Sequence, residues 1–216
     1  MDARAWDERY AASDLVWSAT PNQFVASELA GLKPGRAADL AAGEGRNALW
    51  LASLGWQVTA VDFAGAGLEK GRAVAETLEL AHPVSWECAD VLTWATDAPY
   101  DLAVLAYLQL PADERREAVR RAVAALRPGG TFFLVAHDTT NLTEGVGGPQ
   151  EASVLMTAED VVADLAGTGV EVLRAERVAR EVDVPDGTGT AYGLSALGRG
   201  QLQVGQQRQV EDRLRR

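Results

Sequence analysis

The chain alternates short apolar runs with longer runs in which apolar residues recur every three or four positions. Runs of strand length are "AADLA" at 37–41, "WQVTAVD" at 56–62, "PVSWECAD" at 83–90, "YDLAVLAY" at 100–107 and "TFFLVAHD" at 131–138. Runs of helical period stand between them: "NALWLASL" at 47–54, "AGLEKGRAVAETLEL" at 66–80 and "ADERREAVRRAVAALR" at 112–127. Strand alternating with helix predicts a doubly wound α/β domain with a parallel sheet. Near-continuous apolar strands fit burial on both faces. Ahead of this core, "TPNQFVASELAGL" predicts a helix with Thr20 as cap and Pro21 at its first position. Behind it, "TAEDVVADLAGTG" predicts a helix capped by Thr157, with Asp160 completing a capping box. The two last strand-like runs flank "PDGTG", and Asp186-Gly187 there predicts an antiparallel hairpin. The tail "GQLQVGQQRQVEDRLRR" is rich in Gln and Arg, and its state stays open between helix and disorder.

Composition narrows the partners. The 216 residues are 47% hydrophobic and 24% charged, enough for one domain with a sizeable core. A net charge of −11 argues against a protein held electrostatically on nucleic acid or an anionic membrane. No apolar stretch reaches membrane-spanning length, and "MDARAWDERY" lacks a signal-peptide core, so a cytoplasmic protein is expected. A single cysteine, Cys88, excludes an internal disulfide, and with only His82 and His137 no Cys/His metal site is expected.

The candidate chemistry lies in "ADLAAGEGRNALWLA", residues 38–52. A phosphate loop of the Walker type would need Gly-Lys-Ser/Thr, and the only lysines are Lys33 and Lys70. Gly43, Gly45 and Ala48 do satisfy the dinucleotide fingerprint, with Asp62 at a suitable distance. However, Asp39 just before the loop suits an ammonium better than a pyrophosphate, and Asp90 adds another acidic residue on the same sheet edge.

The ordered set "DLAAGEG", "VTAVDF", "CADV", "YDLAVLAYLQL" and "LRPGGTFFLVAHD" resembles the class I S-adenosylmethionine-dependent methyltransferases over residues 6 to 197. The resemblance implies a Rossmann-like seven-stranded sheet of order 3-2-1-4-5-7-6 with its last strand antiparallel, under an N-terminal helical lid. It divides the chain into a lid segment and helix (1–30), the methyltransferase domain (31–198) and the tail (199–216). It implies S-adenosyl-L-methionine as cofactor. Asp39 would face the ammonium, with Gly43 and Gly45 admitting the backbone and the N–H groups at Arg46 and Asn47 facing the carboxylate. Asp62 would accept the ribose hydroxyls and Phe63 touch the adenine, whose amino group would meet Asp90 and Val91. Ala41 replaces the pattern's first glycine, which a negative φ would tolerate.

Within the family the closest resemblance is to the tellurite-resistance and thiopurine-type group, through "WDERYAASDLVWSATPN" and "HDTTNLTEGVGGPQ". Trp6, Tyr10 and Trp17 then become lid or pocket residues, with Trp17 toward the cofactor and Tyr10 toward the substrate. The acceptor wall would comprise Tyr107 and His137 as catalytic candidates, with Gln109, Asp138 and Asn141 lining the pocket. Many relatives carry His at the position of Gln109, which cannot take a proton. The expected reaction is in-line methyl transfer to a small molecule, a thiol or other soft nucleophile, by a monomer or homodimer without nucleic-acid or membrane partners. Methylation of O or N, a non-catalytic cofactor sensor and an NAD(P) oxidoreductase are the alternatives.

Overall fold

Seven strands form one sheet in the order β3-β2-β1-β4-β5-β7-β6. They are β1 (Arg36–Leu40), β2 (Gln57–Asp62), β3 (Ser85–Cys88), β4 (Tyr100–Ala106), β5 (Leu126–His137), β6 (Val170–Val184) and β7 (Gly187–Gly200). The pairings β3-β2, β2-β1, β1-β4 and β4-β5 are parallel, while β7 runs antiparallel to both β5 and β6. This is the order and the orientation that the resemblance implied. The computed structural model describes residues 3–12, 20–185 and 187–201. The hairpin residue Asp186 and most of the tail lie outside them. The strands flanking that turn close with Val184 opposite Gly187, as an antiparallel hairpin requires.

Successive strand residues point to opposite faces, so each central strand feeds two cores. On one face Val58, Leu102, Val104, Phe133 and Val135 pack with α2 (Gln23–Leu29) and α3 (Arg46–Ser53). On the other, Leu40, Leu105, Phe132 and Leu134 share a cluster with residues of α5 (Ala112–Ala124) and α6 (Ala158–Leu165). A buried ion pair, Arg115 Nε to Asp164 Oδ2 at 2.5 Å, joins α5 to α6. Among the described residues, no helix is long and apolar enough to cross a membrane.

Two boundaries differ from the sequence pattern. The first helix of the core begins at Gln23, and its cap is Asn22 in place of Thr20. The Asn22 side chain accepts from the N–H of Phe24 at 2.9 Å and of Val25 at 3.3 Å. The Asn22 N–H in turn donates to Asn47 Oδ1 at 2.9 Å, so a tertiary contact chooses between two cap-competent residues. The helix expected to reach Arg127 stops at Ala124. Pro128 disfavours helical backbone before it, and the chain enters β5 through an irregular register between Tyr100 and Leu102.

The strand β3 is locked to the helices by one ring. Trp86 lies so close that a Cβ on Gly45 would sit 2.5 Å from it, and one on Gly71 would sit 2.4 Å from it. Gly71 belongs to α4 (Gly65–Ala75), where alanine ordinarily gains about 1 kcal/mol over glycine. Here overpacking outweighs propensity. The new methyl would also meet the Glu44 carbonyl oxygen at 2.8 Å, so moving the ring alone brings no full relief. Gly71→Ala should therefore lower stability by about 1–3 kcal/mol in urea denaturation. In a Trp86→Leu background the same change should cost less, and equal costs in the two backgrounds would contradict the packing account.

Candidate active site

The site is built where β1 hands over to α3. Ala41, Gly43 and Gly45 all take left-handed backbone, with φ of 57°, 58° and 72°. Ala41 thus departs from the negative φ expected for an alanine in a glycine's place. The left-handed region costs a side-chain-bearing residue about 1–2 kcal/mol. Flanking backbone bonds hold it there: Ala42 N–H to the Val61 carbonyl at 3.0 Å, and Gly45 N–H to the Ala42 carbonyl at 2.9 Å. Gly45 is needed twice over, for its φ and for the Trp86 ring beside it.

Two carboxylates flank the loop. Asp62 accepts from the Gly43 N–H through one oxygen and from the Ala64 N–H through the other, both at 2.8 Å. Burial raises its pKa despite those bonds. Asp39 is 1% exposed, and its Oδ2 has no hydrogen-bond partner. Burial pushes its carboxyl up to about 7, against the lowering effect of the Ala48 N–H and the Arg46 charge. A buried acceptor atom left open is costly, and such an atom matches a cationic ligand group. No side chain caps the start of α3, where Arg46 and Asn47 stand. The Asn47 side chain is committed to Asn22.

Asp90, just past β3, is exposed and accepts the Leu92 N–H at 2.8 Å, in a turn of its own. Val91 beside it is buried and Phe63 is half-buried. Asp39 next to the end of β1, Asp62 at the end of β2 and Asp90 just past β3 thus lie at one edge of three neighbouring strands.

The second wall follows β4 and β5. Tyr107 also takes left-handed backbone, with φ 60°. Its ring stands 4.8 Å from that of His137. Gly148 covers the imidazole so closely that a Cβ there would lie 2.7 Å from it. Burial, and secondarily the Arg180 charge, lowers the His137 pKa to about 4. The ring is therefore neutral at pH 7.

Three residues expected in the pocket are engaged in holding the loops. Gln109 Oε1 accepts the His137 N–H at 3.1 Å, and its Nε2 donates to the Val154 carbonyl at 2.7 Å. Asp138 is 1% exposed, accepts the Thr140 N–H at 2.9 Å and pairs with Arg177 at 3.1 Å. Asn141 donates to the Gly147 carbonyl at 2.7 Å and accepts the Tyr192 N–H at 2.8 Å. Backbone groups of a long loop compete for these side chains, and they win. Tyr10 in α1 (Ala3–Ala11) packs on Gly67 of α4 and stacks on Trp6. Asp7 accepts the Ala66 N–H at 2.9 Å, docking α1 on the start of α4. Trp17 lies outside the described residues.

Three site residues were not foreseen. Trp86 wedges between Gly45 and Gly71, and the buried Glu44 pairs with Lys70 at 3.5 Å. Arg180 acts on both His137 and Arg46 electrostatically. The acidic residue inside a glycine loop was a visible signal for Glu44; the other two had none.

Residues 37–130 match the methyltransferase-domain family model. No curated protein matches the sequence. Among solved structures, the protein studied for conversion of a disulfide bond into a thioacetal group during echinomycin biosynthesis aligns with a TM-score of 0.75. It is 18% identical, over 99% of this chain and 97% of its own. The N-methyltransferase NodS from Bradyrhizobium japonicum WM9, in complex with S-adenosyl-L-homocysteine, aligns with a TM-score of 0.66 at 21% identity, over 93% of this chain and 99% of its own. TehB from Haemophilus influenzae aligns with a TM-score of 0.69 at 20% identity, over 84% of this chain and 63% of its own. At these identities the likeness is one of fold, the Rossmann-like methyltransferase fold.

The burial of Asp39 has a measurable sign. Its carboxyl titrates near 7 in the folded chain and near the ordinary value, about 3.9, when unfolded. Between those values the native state holds a proton that the unfolded state has released, so this group lowers stability as pH rises. Asp39→Asn should consequently melt higher than the parent at pH 8, and the gap should shrink toward pH 4. A gap that stays constant in thermal scans across this range would refute the assignment.

Proposed function

We propose that the protein transfers a methyl group from S-adenosyl-L-methionine to a small-molecule acceptor bearing a thiol or another soft nucleophile. The observation that carries this reading is the open, buried Asp39 oxygen beside a left-handed glycine loop, with Asp62 at the end of the next strand and Asp90 just past the one after it. A methionine ammonium supplies the charge that Asp39 lacks. Asp62 has lone pairs left after its two backbone bonds and takes the ribose hydroxyls. The uncapped start of α3 takes the carboxylate, and Asp90 with Val91 takes the adenine edge. The cofactor brings a methyl group on a sulfonium, which is the electrophile; the chain supplies placement and a dry wall.

The second wall supports a soft acceptor. A His137 that titrates near 4 is a weak base at neutral pH. A thiol, with an ordinary pKa of about 8.5, is already partly ionised and needs placement more than deprotonation. The tellurite-resistance and thiopurine-type resemblance points to the same acceptor chemistry, and sulfur chemistry in one of the fold relatives agrees with it.

Two measurements test this reading. Asp62→Ala should weaken S-adenosyl-L-homocysteine binding by about 1–3 kcal/mol in titration calorimetry, the scale of a charge-assisted hydrogen-bonding pair. Unchanged affinity would remove Asp62 from the cofactor site. With a thiol acceptor, His137→Ala should cost roughly tenfold in rate or less, below the 10²–10⁴ of a general base. A thousandfold loss with intact cofactor binding would make His137 the base, and the acceptor a harder nucleophile.

A further inference from the structure

The register of the three terminal strands brings together residues that are far apart in the chain. His137 of β5 lies opposite Gly193 of β7, and Gly193 lies opposite Val178 of β6. Residues paired across a sheet share a face, and so do residues two apart on a strand. His137 and Arg180 therefore project from the same face, the one covered by α2 and α3. The β7 residues between them on that face are Ala191 and Gly193, which are small. Arg46 opens α3 on this side, and the Arg180 charge acts on both Arg46 and His137.

Charge pairing along β6 makes Arg180 distinct. Arg174, on the same face, is paired with Glu28 and with Glu176. Arg177, on the opposite face, is paired with Asp138 at 3.1 Å. Among the described residues Arg180 has no carboxylate partner, and it is half-buried. Tyr107, Asp39 and Glu44 act favourably on Arg46, whereas Arg180 acts unfavourably on both Arg46 and His137, so an anion at Arg180 would be favoured. The planar guanidinium fork of Arg180 suits a carboxylate held by two hydrogen bonds.

We propose that Arg180 is the acceptor-recognition residue and that the acceptor carries a carboxylate, seated between Arg180 and the Tyr107–His137 wall. This rests on the methyltransferase reading for the word acceptor, but the anion site stands on its own geometry. A carboxylate anchored to Arg180 fixes one end of the molecule and leaves its nucleophilic end toward the glycine loop.

The test uses two matched pairs, 3-mercaptobenzoate with its methyl ester and 3-hydroxybenzoate with its methyl ester. Each is titrated calorimetrically into the full-length protein, with and without saturating S-adenosyl-L-homocysteine. In both pairs the acid should bind at least tenfold more tightly than the ester. Arg180→Gln should bring the acid down to the ester's affinity and leave the ester unchanged, whereas Arg180→Lys should keep part of the preference. Thermal scans establish that both variants fold. The proposal is overturned if acid and ester bind alike, if neither binds, or if the preference survives Arg180→Gln. It is also overturned if Arg180→Gln weakens S-adenosyl-L-homocysteine itself, since Arg180 would then serve the cofactor's own carboxylate. Failure of S-adenosyl-L-homocysteine to bind the parent protein would sink the methyltransferase reading alone.

Discussion

Everything at the carboxyl edge of the sheet depends on the carboxylate of Asp62. One oxygen holds the Gly43 N–H and the other holds the Ala64 N–H, so a single side chain sets the position of the glycine loop against the entry to α4. The loop itself is a succession of left-handed turns at 41, 43 and 45, which has no helical or sheet ladder of its own. Ala42 and Gly45 donate to backbone carbonyls, whereas the Gly43 N–H has the Asp62 carboxylate as its acceptor. Trp86 supplies the matching steric constraint from below, pressed against both Gly45 and Gly71.

On that frame the protein retains groups that are unfavourable without a ligand. Asp39 has a buried oxygen with no partner, Ala41 and Tyr107 occupy backbone that disfavours side chains, and Arg180 faces like charge. Such features cluster where a structure is shaped for something it binds. They fall in two places: Asp39 and Ala41 at the glycine loop, and Tyr107 and Arg180 on the side of His137. The polar side chains between the walls, Gln109 and Asn141, stabilise the long loop that covers the imidazole.

The alternation of apolar strands and periodic helices determined the doubly wound class. The positions of Asp39, Gly43, Gly45, Asp62 and Asp90 along the chain were enough to gather them at one edge of the sheet. Local chemistry also carried the Thr157–Asp160 capping box and the hairpin between β6 and β7, because both are set by residues a few positions apart. Tertiary structure alone decided the rest. Asn22 rather than Thr20 caps α2 because Asn47, remote in sequence, accepts its N–H. Asp138 pairs with Arg177 of β6 and Asn141 accepts the N–H of Tyr192 of β7, contacts that only the folded hairpin brings to them. Arg180 becomes a neighbour of His137 only through the pairings on both sides of β7. Sequence patterns report periodicity and short-range hydrogen bonding, whereas these contacts depend on strand register, which sums over the whole sheet.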